Sequence, residues 1–221
     1  MKLDRKPDDR QDDKLHDHPL GDTRFRALLT ADEWHALSTD VRRRFSKRVA
    51  NERSIIYAGE VVDVRFSVCG WLLAQAVRLI GAPLPLHADI GVPAVVTVTE
   101  DIRAGGQIWT RLYARRRGFP QVIHTSKRFQ GPTGLEEYIG YGVSMSLAVR
   151  VEEGAIVFRS VDYFVELFGR RWRLPALLSP GALTITHAEA GGGRFLFTLL
   201  LEHPLFGLLI SQRALFREAA S

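Results

Sequence analysis

From Val92 to Phe168 the chain alternates apolar and polar residues with a period of two, interrupted only at turn residues. A pleated strand sends successive side chains to opposite faces, so this alternation demands half-buried β-strands and excludes helix over the same stretch. VPAVVTVTEDI (92–102), IWTRLYAR (108–115), PQVIHTSKRF (120–129), GLEEYIGYG (134–142), VSMSLAVRVEEG (143–154) and AIVFRSVDYFVELF (155–168) follow one another at hairpin spacing. An earlier strand is read at RSIIYAGEVVDVRF (53–66), with its Gly as a candidate bulge, two more around the GGG turn at 191–193, and one at 205–216. No βαβ alternation follows residue 90, so a parallel sheet is excluded.

Consecutive twisted strands curl. The reading is therefore an α+β fold: a strongly curved antiparallel β-sheet or partial barrel of about nine strands, packed on an apolar helix and enclosing a cavity, with N-terminal helices. The apolar helix is SVCGWLLAQAVRLIGAPLP, which stops at Gly81 before Pro83. It is apolar on more than one side and is expected to pack deep against the sheet. At the N-terminal end, Phe25, Leu28, Leu29, Trp34, Leu37, Val41 and Phe45 recur at helical spacing. Thr30 and Glu33 form a capping box that starts a helix at about Ala31.

A chain of 221 residues, 46% hydrophobic and 25% charged, suits a single domain with one core. Residues 1–22 carry both charge signs and little apolar content and read as a disordered charged leader, leaving 23–221 as a single α+β domain. The leader holds seven Asp against five Lys or Arg, so the body carries the excess positive charge. That charge gathers in VRRRFSKR (41–48), ARRRG (114–118) and GRRWR (169–173), candidate contacts for an anionic membrane surface or simply solvated faces. No helix-turn-helix, aromatic RNA-binding box or zinc-finger spacing accompanies it, so no specific nucleic acid is expected. The one cysteine, Cys69, forbids an internal disulfide, reads as a buried inert thiol, and fits a cytoplasmic protein. No apolar run reaches the roughly 18–20 residues of a helical membrane span. No histidine spacing suits a metal, and no Gly-rich phosphate or dinucleotide loop is present, so neither metal nor cofactor is expected.

Candidate ligand-binding residues come from the alternation. Trp109, Arg111 and Tyr113 share one face of their strand, aromatics beside a cation that can fork a carboxylate. His124 shares a face with Ser126 and Arg128, and Glu136 and Tyr138 on the next strand can oppose them. Converging in a dry pocket, His124, Glu136 and Tyr138 would serve acid–base chemistry; on an outer wall they would not. Glu136 and Glu137 point to opposite sides and cannot work as a pair. The small face of 143–151, with Ser144, Ser146 and Ala148, is read as the side that leaves room for a ligand. FGRRWRLPALLSPG (168–181) reads as a lid or plug at one end.

The ordered series FRALLTADEWHAL with VRRRF, YAGEV, GAPLP, IWTR, TSKRF, GLEEYIGYG, RWRLPALLSPG, GRFLFTL and HPLFG, from about residue 25 to 216, resembles the domain-of-unknown-function 4166 family of bacterial proteins. The resemblance implies no established activity and no catalytic residues to carry over. Members occur alone or joined to an oxidoreductase domain of the saccharopine dehydrogenase type. No such domain lies in these residues, so redox chemistry would need a separate oxidoreductase as partner. The leading expectation is a small-molecule-binding domain for a hydrophobic or amphipathic, lipid-like or acyl ligand. The alternatives are an acid–base enzyme built on His124, Glu136 and Tyr138, and an accessory module docking through its basic clusters.

Overall fold

A computed structural model describes residues 21–49 and 53–219. Its strands are β1 (Ile55–Phe66), β2 (Pro93–Asp101), β3 (Gly106–Tyr113), β4 (Gln121–Arg128), β5 (Glu136–Gly140), β6 (Val143–Glu152), β7 (Ala155–Leu167), β8 (Arg170–Arg173), β9 (Ala182–Gly191), β10 (Arg194–His203) and β11 (Gly207–Glu218). They form one sheet of eleven strands, all neighbours antiparallel, and an extra pairing of β6 with β7 closes it. The ring runs β1 to β7 in order, then β9, β10, β11 and back to β1, so the expected partial barrel is in fact a closed ten-stranded one. Closure follows from the length of β7, which pairs with β6 along one edge and with β9 and then β8 along the other. Every long edge thereby finds a partner.

β8 is the strand missing from the sequence reading. Its four residues, RRWR, are all exposed and carry no alternation of polarity, but they pair with Phe164–Leu167 across a tight turn. Gly59 is not a bulge. The register shift in β1 lies between Val61 and Asp63, and a Cβ at Gly59 would collide with the Leu215 carbonyl of β11.

One end of the barrel is plugged by helices α1 (Ala31–Ala36) and α2 (Thr39–Phe45). The capping box forms as expected: Glu33 N donates to Thr30 Oγ1 at 3.2 Å while Thr30 N donates to Glu33 Oε2 at 2.9 Å. Phe25, Trp34, Leu37, Val41 and Phe45 are buried in that end, and Phe25 meets Phe45 edge-on at 5.1 Å. The body already includes Gly21, which bridges Lys47, and buried Asp22, which accepts from Gln107 Nε2 at 3.2 Å. The rest of the expected charged leader lies outside the described residues.

At the other end, α3 (Val68–Ala76) starts on Ser67, whose Oγ accepts from Gly70 N at 3.1 Å, and runs into a 3₁₀ turn over Val77–Ile80. The turn ends at Gly81, whose φ of +96° is left-handed and favours glycine. α3 does not sink into the sheet as expected. It lies across the rim, with Leu73, Val77 and Ile80 turned toward the interior and Val68, Trp71 and Leu72 exposed. Its apolar outer side therefore marks a surface rather than a core. Cys69 is on that outer side, exposed and not buried. Gly70 lets the helix touch β11, because a Cβ there would strike the Leu209 carbonyl.

Candidate functional site

Below α3 the barrel holds a cavity of about 330 Å³, within the usual range of small-molecule pockets. Its rim is made by Leu73 from α3, by Val77 and Ile80 from the 3₁₀ turn, by Pro83–Pro85 after it, and by Leu174, Leu178 and Pro180 from the segment joining β8 to β9. Gln121 fixes the first of these loops, accepting from Leu86 N at 3.0 Å and donating to Leu84 O at 2.8 Å. The second crosses the place where β7 and β9 diverge, and Ser160 Oγ accepts from Leu183 N at 2.9 Å there. The segment 168–181, read from sequence as a lid or plug, thus contributes a strap, residues 174–181, that runs along the cavity rim beside this split in the wall. Ile123, Met145, Ile185, Phe197, Leu199 and Leu201 make the middle of the cavity apolar.

Its inner end is polar. Glu137 lies between two cations: Lys127 Nζ donates to its Oε2 at 2.7 Å and Arg111 Nη2 to its Oε1 at 3.2 Å. Lys127 and Glu137 face each other directly across β4 and β5, and all three side chains are nearly inaccessible to solvent. Burial alone would raise the Glu137 carboxyl, but Lys127 and then Arg111 hold it down at about 2. Burial lowers the Lys127 ammonium, opposed by Glu137. Two cations against one carboxylate leave one net positive charge in a dry interior. Solvent does not neutralise it, and an anion would.

Tyr113, Thr125, Tyr163 and Gln212 add further polar groups to the cavity wall. Burial pushes the Tyr163 phenol up to about 12 and raises Tyr113 as well, so both are neutral hydrogen-bonding groups. Gln212 Oε1 is buried with no hydrogen-bond partner. The Thr125 hydroxyl helps hold Glu137 ionised, yet it closes no hydrogen bond of ordinary geometry. Buried polar atoms without partners are rare and call for a ligand or water.

Behind the ionic layer sits an aromatic floor. His187 stacks on Phe195 at 5.7 Å and meets Phe45, Phe197 and Trp109 edge-on. Burial, then Arg44, Lys127 and Arg111, lower its imidazole well below the ordinary value, so it is neutral at physiological pH. Only a void of about 10 Å³ remains at this depth.

Of the residues singled out from sequence, Trp109, Arg111 and Tyr113 point into the barrel, Arg111 and Tyr113 on the main cavity and Trp109 on the floor. His124, Arg128, Glu136 and Tyr138 do not line it; they occupy the outer wall. His124 is exposed, its Nδ1 3.0 Å from Thr110 Oγ1. Arg128 lies 4.0 Å over the Tyr138 ring, and the Tyr138 hydroxyl accepts from Gly142 N at 3.2 Å. Glu136 is bound by Arg171 and by Gln130 Nε2 at 3.3 Å. The three groups of the acid–base reading are each engaged with a different partner, and none of them lines the cavity. The small face of β6 is also not the cavity wall. Val143 and Met145 are, whereas Ser146 Oγ turns outward to accept from Asp162 N at 3.1 Å.

The residues missed are Lys127, Glu137, Thr125, Gln212 and His187. Alternation did separate Lys127 from Arg128 and Glu137 from Glu136; what it lacked was the sign of each face. The β3–β4 pairing supplies it, because Trp109 opposes Thr125 and Gln107 opposes Lys127, which carries the inward face from one strand to the next.

The fold and site together define a closed antiparallel β-barrel plugged at one end, with an apolar cavity opening at the other and a buried cationic group at its base. Residues 37–216, most of the chain, match the family model described as Domain of unknown function (DUF4166), and the chain belongs to that family. No curated protein and no solved structure matches the chain significantly. Among the described residues no helix is long and apolar enough to cross a membrane.

Proposed function

We propose that this barrel binds a small amphipathic molecule with an anionic head, a carboxylate on an apolar tail, and that the tail lies toward the α3 rim. The observation that carries the reading is the polarity of the cavity. Its walls are largely aliphatic, but they include Arg111 and Glu137, whose carboxylate is shared with the buried Lys127 behind it, so that two cations outnumber one carboxylate; Gln212 Oε1, also on the wall, has no partner. A carboxylate beside Arg111 balances the charge, and a polar atom of the head can satisfy Gln212. The apolar tail displaces water from a surface that holds water poorly.

The test is displacement of a fluorescent fatty-acid probe by decanoate, decanol and methyl decanoate. The expected result is saturable binding with decanoate the tightest. A hydrogen bond to a charged group contributes about 1.5–3 kcal/mol, so the acid gains roughly one to two orders of magnitude over the alcohol. Arg111→Met removes that preference while leaving the neutral Lys127–Glu137 pair. If nothing binds saturably, the reading is wrong; if all three ligands bind alike, the apolar pocket stands and the anionic head falls.

A further inference from the structure

We propose that the open end of the barrel is a docking surface for an anionic lipid bilayer. The observation is a polarised surface rather than the cavity itself. Val68, Leu79, Phe119, Phe168 and Leu177, at 77%, 87%, 90%, 103% and 74% exposure, all lie at the end where α3 crosses the rim. They come from separate connections: α3, the 3₁₀ turn after it, the β3–β4 loop, the β7–β8 turn and the strap. Among the described residues, the connections at the plugged end expose one large apolar side chain, Ile102.

Leaving this much apolar surface in water is unfavourable unless something covers it. What covers it is indicated by the charge pattern. In the β3–β4 loop the sequence Arg115-Arg116-Arg117 precedes Phe119 and contains no carboxylate. In the β7–β8 turn Phe168 is followed by exposed Arg170 and Trp172. Each tip thus carries an exposed aromatic ring with exposed arginines within three residues of it in the chain. An apolar group in the acyl boundary with cations at the depth of anionic headgroups is the arrangement that holds a peripheral protein on a bilayer. Indole rings such as Trp71 and Trp172, both half exposed, favour that interface. The tips stand apart around an opening, which suits a deformable surface better than one rigid protein face. The third basic cluster, 41–48, belongs to α2 at the plugged end and takes no part.

The test is co-sedimentation of the full chain with phosphatidylcholine vesicles, pure or mixed three to one with phosphatidylserine, with no ligand added. The expected result is binding to the mixed vesicles, weakened but not abolished by high salt. The Phe119→Ser/Phe168→Ser double variant should bind at least about tenfold more weakly, a difference of about 1.4 kcal/mol. Both side chains are solvent-exposed, so its melting temperature and decanoate binding should match wild type. Acyl chains labelled with bromine should quench Trp71 and Trp172 fluorescence on binding. Absence of wild-type binding, or an unchanged affinity in the double variant, overturns the proposal. So does a protein partner captured by these residues when vesicles are not. Because the assay needs no bound ligand, its result is independent of whether the cavity takes a carboxylate.

Discussion

Glu137→Gln is the substitution for which the structure gives the clearest magnitude. The wild-type carboxylate accepts from Lys127 at 2.7 Å and Arg111 at 3.2 Å, in a site where both Lys127 and Glu137 side chains are 2% exposed. Gln is nearly isosteric, so the variant makes no cavity; it leaves two cations facing each other without a counter-charge. Removing one member of a buried ion pair costs about 3–5 kcal/mol. For a domain of this size each kcal/mol moves Tm by about 2–4 °C, so the expected fall is roughly 10 °C by calorimetry or circular dichroism. Glu152→Gln is the control, since its partner Arg159 and the carboxylate are each about half exposed and the expected loss is below about 1 kcal/mol. Decanoate should then stabilise Glu137→Gln more than it stabilises wild type, because a ligand carboxylate supplies the missing charge. At a hundred times its Kd a ligand adds about 2.7 kcal/mol. If Glu137→Gln and Glu152→Gln lose the same small amount, the buried triad does not carry the electrostatics assigned to it.

Three further outcomes follow. His187 has its pKa lowered by burial and by the cations nearby, so on unfolding it takes up a proton that the folded state refuses. Its contribution is complete at pH above the unfolded value near 6.5 and is lost as pH falls below it; Tm measured between pH 7.5 and 5 should drop, and His187→Leu should flatten that limb. Glu137 adds a second acid limb, with stability present above about 4.5 and lost as pH falls toward about 2. Leu199→Trp places an indole in the apolar middle of the cavity; probe binding should vanish while cooperative unfolding and the β-rich circular dichroism remain. Retained binding in that variant would mean that the probe sits elsewhere.

Much of the wall was legible because alternation is a local property. Val96 with Val98, and separately Trp109 with Arg111 and Tyr113, show in the sequence itself that they share a face of their own strand, and Thr30 with Glu33 announces a helix start in four residues. What was not legible depends on long-range pairing. Whether the sheet closes is decided by β6 and β7 meeting as hairpin partners while the far edge of β7 finds β9 about thirty residues later, and nothing local to β7 encodes that choice. The β3–β4 loop, residues 114–120, is long enough that it does not fix register by a turn rule, so the chemically suggestive face with His124 and Arg128 looked as eligible as the one with Thr125 and Lys127. α3 misled for a different reason. Apolar residues all round a helix ordinarily mean burial on every side, and here one side faces the cavity while the other, with Val68, Trp71 and Leu72, faces outward.

Carbon-13 NMR of carboxyl-labelled decanoate, titrated with the protein across pH, measures the central claim at the atom concerned. A distinct bound resonance is expected, one that stays ionised to lower pH than the free acid because Arg111 and the net positive charge at the cavity base favour the carboxylate, and that disappears in Leu199→Trp. A bound acid that protonates at or above the solution value, or no bound resonance at any ratio, would contradict a barrel built to receive an anion at its inner end.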